Sequence, residues 1–366
     1  MAYTNIDDPS AHFQVALYTG SNNQSITNDG NSDLQPDFVW IKRRSDAENH
    51  IVTNSTTGVD AQLLPNSTIP EQSRTDQIQS FDTDGFTLGT DLAGWSNVNG
   101  STYVAWQWKA NAGNTSSNTD GDLTSIVQFN STAGFSIVTY TGKSPIEPLQ
   151  IGHGMGEAPD VVLIKNRDDS RFWIMYHKNL TAPAANRYLM LDNNVYGELA
   201  NSTLWGNVAP SSTIITTGEN AAVNQPNLDF VAYCWKERQG FSKFGKYVGN
   251  GNSLGNGPFV YTGFAPSFII IRRIDAANDW IMHTYKLGTK ASSGSEKGNV
   301  GNLNNAALRA NETSTVDDWG AIDMLSNGFK IRTDAASENT SGGSYIYMAF
   351  AEHPFTTSTG IPTTAR

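Results

Sequence analysis

Residues 36–44 read Pro36-Asp37-Phe38-Val39-Trp40-Ile41-Lys42-Arg43-Arg44, a proline followed by an apolar run with a basic end. The pattern returns twice, as Pro159-Asp160-Val161-Val162-Leu163-Ile164-Lys165-Asn166-Arg167 and as Pro266-Ser267-Phe268-Ile269-Ile270-Ile271-Arg272-Arg273. Proline is tolerated at the first position of a strand, where its missing N–H is not needed. The apolar run is too continuous for a half-exposed strand. It therefore predicts a core strand that is buried on both faces or ends beneath a loop.

Each run belongs to a longer repeated pattern. A Tyr-Thr-Gly precedes it, at Tyr18-Thr19-Gly20, Tyr140-Thr141-Gly142 and Tyr261-Thr262-Gly263. A polar turn and a second extended segment follow it, which predicts a hairpin. An alternating aromatic strand closes each copy, at residues 103–109, 230–236 and 345–351. A repeat of this length indicates an architecture of three similar units.

The composition favours strands over helices. Charged residues make up only 16% of the 366 residues, whereas exposed helical faces are normally rich in Glu, Lys and Arg. We expect an all-β fold of tandem antiparallel β-sandwich repeats of jelly-roll type. The expected divisions are residues 1–110, 134–240 and 241–356 as repeats, 111–133 as a flexible linker and 357–366 as a C-terminal tail. The linker predicts that the first repeat hinges, whereas the second and third share an interface.

The net charge and the first ten residues argue against nucleic-acid-binding, secreted and membrane-inserted proteins. The net charge is −11 and there is no run of Lys or Arg, which argues against a nucleic-acid partner. The first ten residues lack the features of a signal peptide, and no apolar stretch is long enough to cross a bilayer. We therefore expect no membrane insertion and synthesis in a cytoplasm. The single cysteine, Cys234, cannot form an internal disulfide and is expected to be a small core residue.

Catalytic and metal-binding patterns are weak. The six histidines include His50, His177 and His283, at similar places in the three hairpins, but none has zinc-site spacing. Asp82 and Asp84 could share a strand face, yet they flank a turn glycine where Asp is favoured by geometry alone. We expect no catalytic residue and no cofactor. A bound calcium ion is left open as an alternative at two oxygen-rich loops, residues 28–33 and 118–122. Neither loop has EF-hand spacing.

Three tryptophans lie in predicted loops and not in strands. They are Trp95, Trp205 and Trp319. A large ring in a loop either anchors the loop to the core or forms part of a contact surface. We take these three as the candidate surface recognition residues. A second candidate contact surface, specific to the third copy, is its enlarged loop, which includes residues 291–298.

Several motifs together resemble a known family. They are Asp37-Phe38-Val39-Trp40-Ile41-Lys42-Arg43-Arg44, Gly100-Ser101-Thr102-Tyr103-Val104-Ala105-Trp106, Gly240-Phe241-Ser242-Lys243-Phe244-Gly245, Gly257-Pro258-Phe259-Val260-Tyr261-Thr262-Gly263-Phe264 and Ser326-Asn327-Gly328-Phe329-Lys330. The chain resembles, over nearly its whole length, a repeat-bearing family of structural, tail-fibre-like virion proteins. Its members are encoded by marine tailed bacteriophages of cyanophage and pelagiphage type. The family provides no catalytic residue to place on this sequence.

The resemblance implies a non-enzymatic virion protein. The expected role is a tail-associated fibre or adhesin module that contacts the host surface. The alternatives are a capsid decoration (cement) protein and, less favoured, a depolymerase of surface polysaccharide. Expected partners are other virion proteins, a host cell-surface glycan or protein, and further copies in a homotrimer or higher symmetric assembly.

Overall fold

The computed structural model describes residues 3–143, 146–252, 255–288, 303–317 and 321–363. Within these residues the protein consists of antiparallel sheets and three short 3-10 helices, at Pro9–Ala11, Ala184–Asn186 and Tyr285–Leu287. The predicted all-β fold is confirmed. No helix in this part of the chain is long and apolar enough to cross a membrane.

The strands fall into three consecutive sets, which we call the first, second and third units. The first unit contains β1 (Phe13–Thr19), β2 (Gln24–Ile26), β3 (Phe38–Arg43), β4 (His50–Asn54), β5 (Gly58–Leu63), β6 (Gln72–Ser73), β7 (Ile78–Phe81), β8 (Phe86–Leu88) and β9 (Thr102–Trp108). The second unit contains β10 (Ser116–Asn118), β11 (Ser125–Asn130), β12 (Phe135–Thr141), β13 (Leu149–Gly152), β14 (Val161–Asn166), β15 (Ile174–His177), β16 (Arg187–Met190), β17 (Leu199–Ala200), β18 (Ile214–Thr217) and β19 (Asp229–Trp235). The third unit contains β20 (Ser242–Val248), β21 (Phe259–Tyr261), β22 (Phe264–Arg273), β23 (Trp280–Thr284), β24 (Leu303–Asn304), β25 (Ala307–Arg309), β26 (Ile322–Leu325), β27 (Gly328–Ile331) and β28 (Ser344–Pro354).

Each unit has one large and one small sheet, and the large sheets repeat one pairing order. Their orders are β1-β9-β3-β4-β5-β6, β10-β11-β12-β19-β14-β15-β16-β17 and β20-β28-β22-β23-β25. In each, the closing aromatic strand lies between the opening strand and the central apolar strand, which then pairs with its hairpin partner. The small sheets are β2-β8-β7, β13-β18 and β21-β27-β26-β24.

A stacked aromatic pair marks equivalent positions in the three opening strands. The pairs are Tyr18–Tyr103, Tyr140–Phe230 and Tyr247–Tyr345, with ring centroids 5.0–5.1 Å apart. Each first ring donates its hydroxyl to a loop carbonyl at 2.7 Å. The third equivalent of the Tyr-Thr-Gly motif is therefore Tyr247-Val248-Gly249. The assignment to Tyr261 is wrong, because Tyr261 lies on β21 of the small sheet.

The central apolar strand of each large sheet and the aromatic strand beside it are buried on both faces, which is one of the two outcomes that the apolar runs predict. One face packs against the small sheet of the same unit. The opposite face joins a single core shared by all three units, to which Phe38, Tyr233 and Phe268 contribute. The rings of Phe38 and Tyr233 lie 4.7 Å apart across the boundary between the first and second units. The molecule therefore has one common core and three peripheral ones.

Buried side chains close a ring of hydrogen bonds around this common core. On the central strands, Lys42 donates to the carbonyl of Thr313 at 3.0 Å and Lys165 to that of Thr68 at 2.9 Å, while Arg272 donates to that of Tyr196. On the partner strands, the indole N–H groups of Trp173 and Trp280 donate to the carbonyls of Leu64 and Met190 at 2.9 Å, and Nε2 of His50 lies 3.1 Å from that of Arg309. Both sets run from the first unit to the third, from the third to the second, and from the second to the first.

The predicted linker and hinge are not found. Residues 116–118 and 125–130 form β10 and β11, which extend the large sheet of the second unit. The start of this segment is also held, because buried Asp37 accepts hydrogen bonds from the N–H groups of Ala110, Ala112 and Gly113 at 2.6–2.8 Å. The first unit does not hinge, since it shares the common core with both others. The enlarged loop at 291–298 lies outside the described residues.

Candidate functional site

A groove on the second unit arises from a difference between the small sheets. In the first unit, β7 continues the small sheet and contacts β5 of the large sheet. The small sheet of the second unit consists of β13 and β18 alone among the described residues. The equivalent of β5 is β16, which pairs with the hairpin strand in the same way. The face of β15 and β16 is therefore covered only in part, by the connection between β16 and β18, which leaves a groove of about 460 Å³.

The floor of the groove is apolar and its walls are aromatic. Ile174 and Met190 are register partners on β15 and β16, and with Leu204 they form the buried floor. Phe172 and Tyr196 line the walls and are 40% and 52% exposed. Tyr188 lies between solvent and core, and burial together with the nearby Tyr196 hydroxyl raises its pKa. Phe172 and Tyr196 are therefore accessible to a ligand from solvent.

The groove also has polar residues at its edge. The side-chain oxygen of Asn201 accepts hydrogen bonds from the N–H and the hydroxyl of Thr203, at 2.8 and 2.7 Å. The side-chain oxygen of Asn220 accepts from the N–H of Ala222 at 2.9 Å. These contacts orient both amides, and within the described residues neither NH₂ group has a partner. The groove is thus lined by two oriented donors as well as by rings.

Within the part of the chain that the structure describes, Arg171 is the one charged residue that lines the groove. Its guanidinium lies 3.0 Å from the carboxylate of Asp169 and donates to the side-chain oxygen of Gln225 at 3.2 Å. An anion in the groove would have to compete with Asp169 for this guanidinium, which reduces the net attraction of the groove for an anion. Its chemistry suits a neutral ligand with both apolar faces and hydrogen-bonding groups.

The wall that carries Tyr196 is fixed to the third unit. Arg272 donates to the backbone carbonyl of Tyr196, and the N–H of Glu198 donates to the carbonyl of Ile274 at 2.7 Å. Between them stands Gly197, where an added Cβ would lie 2.3 Å from the Ile274 carbonyl oxygen. Only glycine fits this close approach. The groove is therefore held in shape without a ligand.

The three candidate tryptophans do not form this site. Trp205 is 2% exposed, and its indole N–H donates to the carbonyl of Arg187 at 3.0 Å, so its assignment to a recognition surface is wrong. It anchors the loop from beneath, because its ring packs edge-on against Tyr176. Trp95 is half-buried under the guanidinium of Arg74, 4.9 Å from the ring centre, on the first unit. Trp319 lies outside the described residues.

The histidines of the hairpins are buried and occupy three different register positions. His50 pairs with Lys42, His177 with Val161 and His283 with Ile269. Nδ1 of His50 accepts from the indole of Trp40 at 2.9 Å, so the proton is on Nε2, and burial lowers its pKa well below the usual value. His283 lies 2.7 Å from a carboxylate oxygen of Glu338, and both side chains are fully buried. A substrate cannot reach this pair in the folded protein.

The acidic candidates accept hydrogen bonds that stabilise turns and loops. Asp82 accepts hydrogen bonds from the hydroxyls of Ser80 and Thr87 at 2.6 and 2.7 Å, and Asp84 accepts from the N–H of Leu34 at 3.1 Å. In the loop at 118–122, Asp122 accepts from the N–H of Gln150 at 2.8 Å. No group of three or more His, Cys, Asp or Glu residues in the described part of the chain is arranged to hold a metal ion.

Sequence reasoning missed the rings of the groove. The sequence predicts Phe172 as part of the extended segment of a hairpin, and no motif in the sequence marks Tyr188 or Tyr196. One usable signal was Val195-Tyr196, two large apolar residues in the otherwise polar segment from Asp192 to Glu198. No pattern in the sequence predicts that the small sheet of the second unit lacks a counterpart of β7 among the described residues.

Comparison with known proteins places the chain in a family. Residues 8–354 match the family described as a domain of unknown function, DUF7483. The chain belongs to the DUF7483 family. No curated protein and no solved structure matches it. The match spans all three units, so the family domain is the complete closed structure and not one repeat of it.

Proposed function

We propose that this DUF7483 protein is a non-enzymatic virion component of a tailed bacteriophage, an adhesin module that contacts the host surface. The observation that carries the proposal is the aromatic groove of the second unit, which is preformed on a body with a shared core. Rigid bodies that expose a small number of rings at one site suit recognition, because little ordering entropy is lost on binding. The proposed location, the tail of a phage particle, rests on the resemblance to tail-fibre-like virion proteins.

Two further observations support recognition over catalysis. The close histidine–carboxylate pair, His283 and Glu338, is sealed from solvent. The groove itself is lined by rings, amides and a paired arginine, and among the described residues no carboxylate lines it that could act as general acid or base. Multiple weak contacts from many copies on one particle would supply avidity.

The test is the position of the protein on the particle and its binding to cells. Antibody fragments against the purified protein should label the tail of the phage that encodes it, and fluorescent protein should bind host cells saturably. Label on the capsid faces, with none on the tail, would instead establish a decoration protein. New reducing ends after incubation with host envelope glycans would establish a depolymerase.

A further inference from the structure

We propose that the groove of the second unit binds a neutral saccharide, with a sugar ring packed on the exposed faces of Tyr196 and Phe172. The inference rests on the proposed role in host contact and names the ligand class of that site. It depends on three properties of the groove, namely the rings, the oriented amide donors and the absence of unpaired charge.

The rings provide the apolar half of saccharide recognition. One face of a pyranose consists of C–H groups, which pack on an aromatic face much as other apolar groups do. Phe172 and Tyr196 are 40% and 52% exposed, so their faces are accessible without any rearrangement. The buried residues Ile174, Met190 and Leu204 beneath them give a dry floor.

The amides provide the polar half. A sugar ring carries hydroxyls around its edge, which need donors and acceptors in fixed positions. The NH₂ groups of Asn201 and Asn220 are oriented by the turns in which their oxygens take part. Both residues line the same groove as the rings.

The charge of the groove selects among saccharides. Arg171 is its one charged lining residue in the described ranges, and its guanidinium lies 3.0 Å from the carboxylate of Asp169. An acidic sugar would have to compete with Asp169 for this guanidinium, and it would approach a protein of net charge −11. We therefore infer a neutral glycan and not a uronic acid or sialic acid polymer.

The test uses the full-length protein on an array of neutral hexose oligosaccharides, with hexagalacturonate as the acidic counterpart. We expect binding to at least one neutral oligosaccharide and none to hexagalacturonate. Calorimetric titration with the best neutral ligand should then show about tenfold weaker binding for Tyr196→Ala and for Phe172→Ala. Tyr196→Phe should bind nearly as the parent protein does, because it keeps the ring.

Two further variants separate the polar contribution from general damage. Asn220→Asp keeps the oxygen that accepts from Ala222 but loses the NH₂ donors, and it should also weaken binding about tenfold. Phe259→Ala removes a ring that is 48% exposed on the third unit and should leave binding unchanged. Near-ultraviolet circular dichroism of each variant checks that the fold is retained.

Three results would overturn the inference. They are no binding to any neutral oligosaccharide, equal binding by the parent and Tyr196→Ala proteins, and occupation of the groove by a second copy of the chain. If particles carry the protein on the tail but the groove variants bind cells normally, the inference fails and the proposed function stands. If the purified protein binds sugar through the groove but is absent from particles, the proposed function fails alone.

Discussion

The guanidinium of Arg272 donates a hydrogen bond to the backbone carbonyl of Tyr196, which joins the third unit to a wall of the groove on the second. The equivalent residues of the other units, Lys42 and Lys165, make the corresponding contacts with the next unit in the ring. The groove thus uses a contact that the fold makes three times, and only here does the contact support an exposed ring.

Replacement of Arg272 by Met should loosen this wall. The carbonyl of Tyr196 loses its donor, and we expect a loss of about 1–3 kcal/mol in the free energy of unfolding. Amide hydrogen exchange of residues 194–198 should accelerate more than that of β16. Arg272→Lys is the matched control, because a lysine makes the same kind of contact in the other two units. Equal exchange in the Met and Lys variants would contradict a role for this hydrogen bond.

The indole contacts between units make a second prediction. Trp173→Phe removes the N–H that reaches the carbonyl of Leu64, and it leaves a small cavity in the common core. We expect a loss of about 2–4 kcal/mol in the free energy of unfolding, measured by guanidinium titration. Trp95→Phe, at a half-buried ring on the first unit, should cost clearly less. A similar cost for both variants would argue against a special role for the contact between units.

The sequence predicted the strands of each unit far better than the arrangement of the units. The core runs and their hairpins appear as expected, for example β3 with β4, because apolar content and polar turns are local signals. The same runs predicted strands that are buried on both faces or end beneath a loop, and the first of these outcomes is found. The sequence could not show that the second face packs against another unit. A large side chain such as Trp106 or Phe268 fits a core within its own unit as well as a core shared between units.

The candidate site was less predictable. Trp205 was selected because it lies in a loop, yet a loop tryptophan can point inward, and its N–H found a backbone carbonyl there. Tyr196 was not selected, although it is exposed. Its exposure follows from the missing cover over β16, which depends on the sheets of the folded unit and not on the residues near Tyr196.

A carboxyl in the segment that follows β16 predicts a pH dependence. Burial raises the pKa of Asp192 to about 7. One of its oxygens accepts a hydrogen bond from the N–H of Trp173 at 3.2 Å, and the other has no hydrogen-bond partner among the described residues. The folded state therefore binds more protons than the unfolded state between pH about 4 and 7, so this group lowers the stability as the pH rises through that range.

Asp192→Asn should remove this loss. The variant should match the parent protein near pH 4 and exceed its free energy of unfolding by on the order of 1–3 kcal/mol at pH 8. Urea titrations at several pH values measure the difference. A difference that is constant across pH, or that decreases toward pH 8, would contradict a carboxyl that is held neutral by burial.

Cys234 provides a probe of the second unit. Its side chain is fully buried and burial raises the pKa of the thiol. We expect no reaction with a disulfide reagent in the native protein and reaction only through global unfolding. The free energy from the reaction rate should therefore equal that from guanidinium titration. A clearly smaller value would mean that the second unit opens by itself.

The central claim is that three units close around one shared core and behave as a single body. Scanning calorimetry of the whole chain tests it most directly, since separate cores would unfold separately. One transition, with a calorimetric enthalpy close to the van't Hoff enthalpy, is the result we predict. Two or three resolved transitions, or a calorimetric enthalpy about three times the van't Hoff value, would contradict it.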